Sequence, residues 1–194
     1  MGRPDLIFVF LFTVLASSAS AMLRAGSQAP TFTIQAALAG KEFSFSLSEA
    51  LKKGPVVLYF YPKSFTSICT LEAHEFAEAM DQFQSMNTTI IGVSNDTIET
   101  QKKFSTMECN NKFPVGSDVN LNLIKTYDAI YKLPGNKYIN EHLYKSIESR
   151  LFADRISYVI SQDGLILSVV KDQGASLHIA NALSVVKGLE KNKQ

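Results

Sequence analysis

The sequence predicts an α/β fold with a central mixed β-sheet flanked by helices, and three observations lead to this prediction. Segments rich in β-branched and aromatic residues alternate along the chain with segments of helical character. The segment 56–61 is an unbroken apolar run, VVLYFY, typical of a strand buried on both faces of a sheet. Near the C-terminal end, the turn SQDG at 161–164 joins two apolar segments as a hairpin.

The individual elements follow from the local pattern of apolar residues. The helix at 70–84, for example, is predicted because Ala73, Phe76 and Phe83 recur at helical spacing. The segment 131–151 has no regular pattern, and it lines either the rim of the active site or an interface. The other predicted elements are a strand hairpin at 31–35 and 42–47, a short helix at 48–53, strands at 56–61 and 89–93, a helix at 98–107, a strand near Pro114, a helix at 120–127, strands at 156–160 and 165–170, and a helix at 176–189.

The N-terminal segment has the pattern of a secretory signal peptide. An apolar run at 6–15 is too short to span a bilayer, and the small residues at 16–21 offer a cleavage site after Ala21. An uncleaved anchor is the alternative, because Arg3 is the only side-chain cation before the run and Asp5 offsets it. We therefore expect the protein in the secretory pathway or outside the cell, without stable membrane association after cleavage. A plastid-type organelle reached through the secretory route is the alternative location.

Length and charge limit the function classes. A signal peptide at 1–21 leaves 22–194 as one domain large enough for a substantial core. The formal net charge of +1 argues against nucleic acid as an electrostatic partner. We expect a monomer or a homodimer.

Asn87 and Asn95 lie in N-glycosylation sequons, which are usable only on a eukaryotic secretory route. Asn95 has a second interpretation, as part of the turn before the helix at 98–107, where Asp96 and Glu99 have the spacing of a capping box. An oxidising lumen also requires a local reductant for any thiol enzyme.

Cys69 is the candidate nucleophile. It follows the strand at 56–61 and a short polar loop, and it lies at or beside the first turn of the next helix. The unpaired N–H groups and the positive end of the helix dipole favour an anion there, so the thiolate, the nucleophilic form, is stabilised. An inert buried thiol is the plainer alternative.

The pattern Pro62-x-x-x-Thr66-x-x-Cys69 resembles the active-site signature of the peroxiredoxins, thiol peroxidases on a thioredoxin-like fold. The segment 56–76 is similar to the bacterioferritin-comigratory, or Q-type, branch of that family. The likeness extends over about 25–189, with further similar segments at 91–96, 113–118 and 155–164.

This resemblance implies a role for each matching residue. Cys69 would be the peroxidatic cysteine, which attacks the O–O bond and becomes a sulfenic acid. Thr66 would present its hydroxyl to the thiolate or the peroxide, and Pro62 would shield the thiolate from water. Arg155 matches the family arginine that stabilises the thiolate and polarises the peroxide. The plainer alternatives are a helix cap for Thr66 and a solvated edge charge for Arg155.

The resemblance also raises the question of how the sulfenic acid is resolved. Many Q-type members carry a second cysteine five residues after the first, where this chain has His74, which we interpret as a solvated or interface histidine. Cys109 resembles the variant whose resolving cysteine lies in the third-helix region. Two other interpretations stay open for Cys109, an incidental buried thiol and a fixed structural disulfide. Disulfide formation with Cys69 would require local unwinding.

We therefore predict a peroxiredoxin-like thiol peroxidase that reduces hydrogen peroxide and organic hydroperoxides and is recycled by a thioredoxin-like protein. No cofactor or metal is expected, since the chemistry is all sulfur and no cysteine or histidine pair has a metal-ligand spacing. The alternative is a redox relay or sensor oxidised at Cys69 without efficient turnover. A disulfide isomerase is disfavoured because Thr66 stands where a Cys-x-x-Cys motif needs a cysteine.

Overall fold

The computed structural model describes residues 23–131 and 151–191. The predicted signal peptide at 1–21, and residues 132–150 of the segment predicted to be irregular, lie outside the described residues. The described strands are β1 (Thr33–Leu38), β2 (Lys41–Ser46), β3 (Val56–Phe60), β4 (Thr89–Ser94), β5 (Val115–Ser117), β6 (Ile156–Ile160) and β7 (Ile166–Lys171). The described helices are α1 (Leu47–Leu51), α2 (Ser67–Glu78), α3 (Met80–Ser85), α4 (Ile98–Met107), α5 (Asn122–Thr126) and α6 (Ser176–Lys191).

The strands form one mixed sheet in the order β2-β1-β5-β4-β3-β6-β7, which confirms the predicted α/β class. β3 pairs in parallel with β4 and antiparallel with β6, so it lies inside the sheet. All its residues are buried, as expected for a strand covered on both faces. The predicted hairpins also form, between β1 and β2 and between β6 and β7.

Alternation along β3 divides the core between the two faces of the sheet. Val56, Leu58 and Phe60 pack on the face covered by α1 and α5. Val57 and Tyr59 pack on the opposite face, against a cluster contributed by α2, α3, α4 and α6. Since side chains alternate along a strand, neighbouring residues of β6 also divide between these faces. The second face is the one that carries Cys69.

The prediction of a single helix at 70–84 is wrong in two respects. The structure has two helices, α2 and α3, which meet at Ala79 (φ −78°, ψ −4°). The apolar residues Phe76, Met80 and Phe83 are buried on both sides of the break, so the hydrophobic period hides it. In addition, α2 begins three residues earlier than predicted. The hydrophobic pattern does not reveal its first turn, because Ser67 and Ile68 are exposed.

The helix α4 has the predicted bounds, but its cap differs from the capping box expected at Asp96 and Glu99. Thr97 is the N-cap residue, and its side chain accepts a hydrogen bond from the Thr100 backbone N–H. Asp96 is therefore free to bond elsewhere, to the loop after β3. Among the described helices, none has the length and apolar content needed to cross a bilayer.

Candidate active site

Cys69 lies in the first turn of α2, directly after the loop that follows β3. The N-cap position is Thr66, whose carbonyl accepts the first intrahelical bond from Thr70 at 2.8 Å. The first turn of a helix presents backbone N–H groups without intrahelical partners, and these favour a negative charge. The side chain of Cys69 is 1% exposed. The sulfur therefore lies in a largely desolvated position at the positive end of a helix.

Arg155 is brought to Cys69 by the pairing of β6 with β3. Ile156, the first residue of β6, is the register partner of Phe60, the last residue of β3. Arg155 therefore lies beside the end of β3, where the loop to α2 begins. Its Nη2 donates a hydrogen bond to Cys69 Sγ at 3.1 Å, and the whole residue is 3% exposed. The plainer reading of Arg155 as a solvated edge charge is wrong.

Glu72 completes this buried cluster, and the sequence reasoning missed it. It lies three residues after Cys69, on the same side of α2, and Arg155 Nη1 donates a hydrogen bond to its Oε2. Burial raises the pKa of the Glu72 carboxyl, and the Arg155 guanidinium offsets part of that effect. The sequence does contain a signal for Glu72. This carboxylate lies one helical turn after Cys69, next to the apolar face that carries Ala73 and Phe76.

The guanidinium of Arg155 stays charged in this setting. Burial alone would lower the pKa of Arg155, but the Glu72 carboxylate and the Cys69 sulfur outweigh it and raise that pKa above its ordinary value. Arg155 therefore links a buried carboxylate and a buried sulfur through the two arms of one planar fork. The guanidinium thus places a positive charge and an N–H donor beside the sulfur.

Thr66 and Pro62 lie in the loop before α2. Thr66 is exposed, and its hydroxyl donates to the Lys63 carbonyl at 2.9 Å, so its side chain does not cap the helix. In the part of the chain that the structure describes, no hydrogen bond joins the Thr66 hydroxyl to Cys69. Pro62 follows β3 and is half-buried. The structure thus brings Arg155, but not Thr66, into hydrogen-bond contact with Cys69.

The sequence model of the AhpC/TSA family matches residues 25–169. The protein belongs to this peroxiredoxin family. Peroxiredoxin Bcp of Bacillus subtilis is 32% identical over 134 residues, which cover 69% of this chain and 78% of the relative. The chloroplastic 2-Cys peroxiredoxin BAS1 of Hordeum vulgare is 25% identical over 173 residues, which cover 85% of this chain and 74% of the relative. With BAS1 of Spinacia oleracea, 30% identical over 112 residues, the match covers 54% of this chain and 42% of the relative.

Solved structures of the family have the same fold. Peroxidoxin BcpB from Mycobacterium tuberculosis has a TM-score of 0.71 at 24% identity, over 86% of this chain and 97% of that one. AhpC of Enterococcus faecalis has a TM-score of 0.69 at 20% identity, over 89% of this chain and 98% of that one. These matches confirm the predicted thioredoxin-like fold with its mixed sheet.

The second cysteine of this peroxiredoxin, Cys109, lies two residues beyond the end of α4. It is fully buried, in the same apolar cluster as Cys69, and both cysteines are free thiols. Burial raises the pKa of the Cys109 thiol far above its ordinary value, with a smaller contribution from Glu108. Cys109 is therefore held as a buried, neutral thiol in this conformation.

Two polar contacts tie the Cys109 segment to α2. His74 Nε2 lies 2.8 Å from Glu108 Oε2, and Lys112 Nζ donates to the Ala77 carbonyl at 3.0 Å. The His74 side chain is 43% exposed, so it lies at the surface between α2 and the segment after α4. Within residues 23–131 and 151–191, no three histidine, cysteine, aspartate or glutamate side chains cluster closely enough to hold a metal ion.

Proposed function

We propose that the protein is a thiol peroxidase that reduces hydrogen peroxide and organic hydroperoxides, with Cys69 as the nucleophile. The observation that carries the proposal is the hydrogen bond of 3.1 Å from the buried Arg155 guanidinium to a sulfur in the first turn of a helix. The thiolate sulfur attacks one peroxide oxygen and the O–O bond breaks. Cys69 becomes a sulfenic acid, while the leaving oxygen takes a proton and departs as water or an alcohol.

Four residues support this step in the proposal. Arg155 stabilises the thiolate and the charge that develops on the leaving oxygen, and Glu72 holds the guanidinium in place. Pro62 shields the sulfur, since it has no N–H to attract water. Thr66 turns its hydroxyl from the Lys63 carbonyl to the peroxide when substrate is bound.

We propose that Cys109 resolves the sulfenic acid. Its thiol sulfur attacks the Cys69 sulfur, the S–O bond breaks, and water leaves as a disulfide forms. A thioredoxin-like dithiol then reduces this disulfide by exchange. Membership of both cysteines in one apolar cluster supports the pairing, and the burial of both requires local unwinding of the segment after α4 or of the first turn of α2.

Finer assignments follow the same reasoning. We place the chain on the Bcp side of the family because the segment 56–76 resembles that branch. The identities alone differ little, at 32% over 134 residues for Bacillus subtilis Bcp and 30% over 112 residues for spinach BAS1. The signal-like segment at 1–21 supports a secretory or secreted location, with a plastid-type organelle as the alternative. We propose a monomer or homodimer that needs no cofactor.

The test is peroxide consumption by the mature protein with a thioredoxin system, for the native chain, Cys69→Ser and Cys109→Ser. We expect Cys69→Ser to abolish the reaction with peroxide and Cys109→Ser to lose only thioredoxin-driven turnover. Normal turnover by Cys109→Ser would contradict the resolving role. Stoichiometric oxidation of the native protein without turnover would contradict the peroxidase proposal and favour a redox relay.

A further inference from the structure

The loop that carries Pro62 and Thr66 is held in a strained conformation. Phe65 has φ +65°, a left-handed backbone that is unfavourable for a bulky side chain. Its ring is partly exposed and makes an edge contact with Phe104 of α4, with ring centroids 5.2 Å apart. The packing of this loop against α4 therefore helps to hold the loop in its strained conformation.

Two acceptors at the start of α4 and within it fix the same loop. Asp96 Oδ2 accepts a hydrogen bond from the Ser64 backbone N–H at 2.7 Å. Gln101 Oε1 accepts from the Tyr61 hydroxyl at 2.7 Å and from the Ser64 hydroxyl at 3.4 Å. Tyr61 directly precedes Pro62, so the Gln101 oxygen holds the residue at the base of the peroxidatic loop.

The other end of the Gln101 amide is anchored to the sheet. Its Nε2 donates to Ser94 Oγ at 2.8 Å and to the Gly116 carbonyl at 3.0 Å, on β4 and β5 respectively. Gln101 is fully buried, and its donors and its acceptor oxygen are all bonded. A purely apolar side chain of the same length would fill the space but would leave the Tyr61 hydroxyl without this acceptor. The amide thus links the rigid sheet to the loop.

We propose that Gln101 is a positioning residue for the peroxide reaction, acting through Tyr61 and Ser64 to hold the loop that receives the peroxide. This inference rests on the proposed peroxidase function. In the proposed function, Pro62 and Thr66 of this loop shield the sulfur and orient the peroxide, and small displacements of groups that orient a substrate reduce rates strongly. Gln101 has no bond to Cys69 or to Arg155 among the described contacts, so its removal changes the geometry of peroxide approach rather than the charge on the sulfur.

The test uses Gln101→Met, which keeps the length of the side chain but removes the amide. Exposed Gln84 of α3 gives the matched control, Gln84→Met. The rate constant for oxidation of Cys69 by hydrogen peroxide is measured in a single turnover from pH 5 to 9. We expect Gln101→Met to lower the plateau rate roughly ten- to hundredfold without moving the midpoint of the pH profile. We expect Gln84→Met to match the native protein.

A native plateau rate in folded Gln101→Met would overturn the proposal. So would a shifted midpoint with an unchanged plateau, which would assign Gln101 to thiolate formation instead. If Gln101→Met does not fold, Tyr61→Phe removes the partner hydroxyl and keeps the ring, and it is expected to lower the plateau in the same way. A native rate for Tyr61→Phe would then refute the link. Failure of the peroxidase proposal is distinguishable, since the native chain itself would then not react with peroxide.

Discussion

Replacement of Arg155 by lysine tests whether the planar fork of the guanidinium is essential. Arg155 contacts the Cys69 sulfur with Nη2 and the Glu72 carboxylate with Nη1. A lysine keeps the positive charge but has one ammonium group in place of two separated donors. The buried carboxylate is the stronger attraction, so we expect the ammonium to stay with Glu72 and to lose the sulfur. The variant then keeps a buried ion pair, now between the lysine and Glu72, and we therefore expect it to keep the fold.

The size of the effect follows from the lost contact. A hydrogen bond to a charged group contributes about 1.5 to 3 kcal/mol. If that contribution is made in the transition state and not to the resting sulfur, its loss slows the reaction roughly ten- to 150-fold. Removing the charge altogether is a harsher change, because an unpaired Glu72 would be left buried at a cost of about 3 to 5 kcal/mol. Arg155→Lys therefore separates the catalytic effect from the structural one.

The assay is the second-order rate constant for Cys69 oxidation by hydrogen peroxide, measured without any reductant. Exposed Arg24 provides the control Arg24→Lys, which makes the same chemical change away from the site. Thermal unfolding of both variants checks that the fold is intact. An unchanged rate constant for a folded Arg155→Lys would refute the reasoning, because it would mean that the bond to the sulfur contributes nothing to the reaction.

Three further predictions concern stability and the second cysteine. Burial lowers the pKa of His178, so its stabilising contribution is present above its ordinary value of 6.5 and is lost as the pH falls below it. The free energy of unfolding of the native protein, measured relative to that of His178→Gln at the same pH, should therefore fall by up to about 1.4 kcal/mol per pH unit below 6.5. In Gly92→Ala the new Cβ would lie 2.5 Å from Tyr59 Cζ, so urea denaturation should show a loss of about 1 to 3 kcal/mol. The control is Gly188→Ala, whose new Cβ would meet no atom within 4 Å, so this variant should not be destabilised. Equal losses of stability in the two variants would contradict a steric clash at Gly92. Under repeated additions of peroxide, Cys109→Ser should accumulate sulfinic acid at Cys69, which mass spectrometry would detect. No increase over the native protein would argue against resolution by Cys109.

The parts of the site that depend on local pattern could be predicted, and the parts that depend on long-range packing could not. The apolar run of β3 identified a central strand, and the residues after it placed Cys69 at a helix start. Glu72 and Gln101 were missed because a polar residue on a helix is usually solvated, and burial of these two depends on partners far along the chain. Arg155 was assigned from the family resemblance, since its distance from Cys69 in sequence gives no periodic signal.

The same difference explains the errors in local structure. The break at Ala79 leaves the apolar residues of both helices on one face, so hydrophobic spacing cannot detect it. The cap of α4 shifted from Asp96 to Thr97 because Asp96 is used by the loop after β3, a contact between segments 32 residues apart. Both Asp96 and Thr97 are acceptable caps by local sequence, and the hydrogen bond of Asp96 to the distant loop leaves Thr97 as the cap.

The register of β3 and β6 has a consequence for how the protein acquires reactivity. Arg155 and Cys69 are 86 residues apart in the chain, and the pairing of β6 with β3, which sets Ile156 beside Phe60, brings them together. A slip of one residue would turn the guanidinium to the opposite face of the sheet. We therefore expect a newly synthesised chain to carry an ordinary, slow thiol until this distant pairing is complete. In the proposed function, fast reaction with peroxide would then report the late steps of folding.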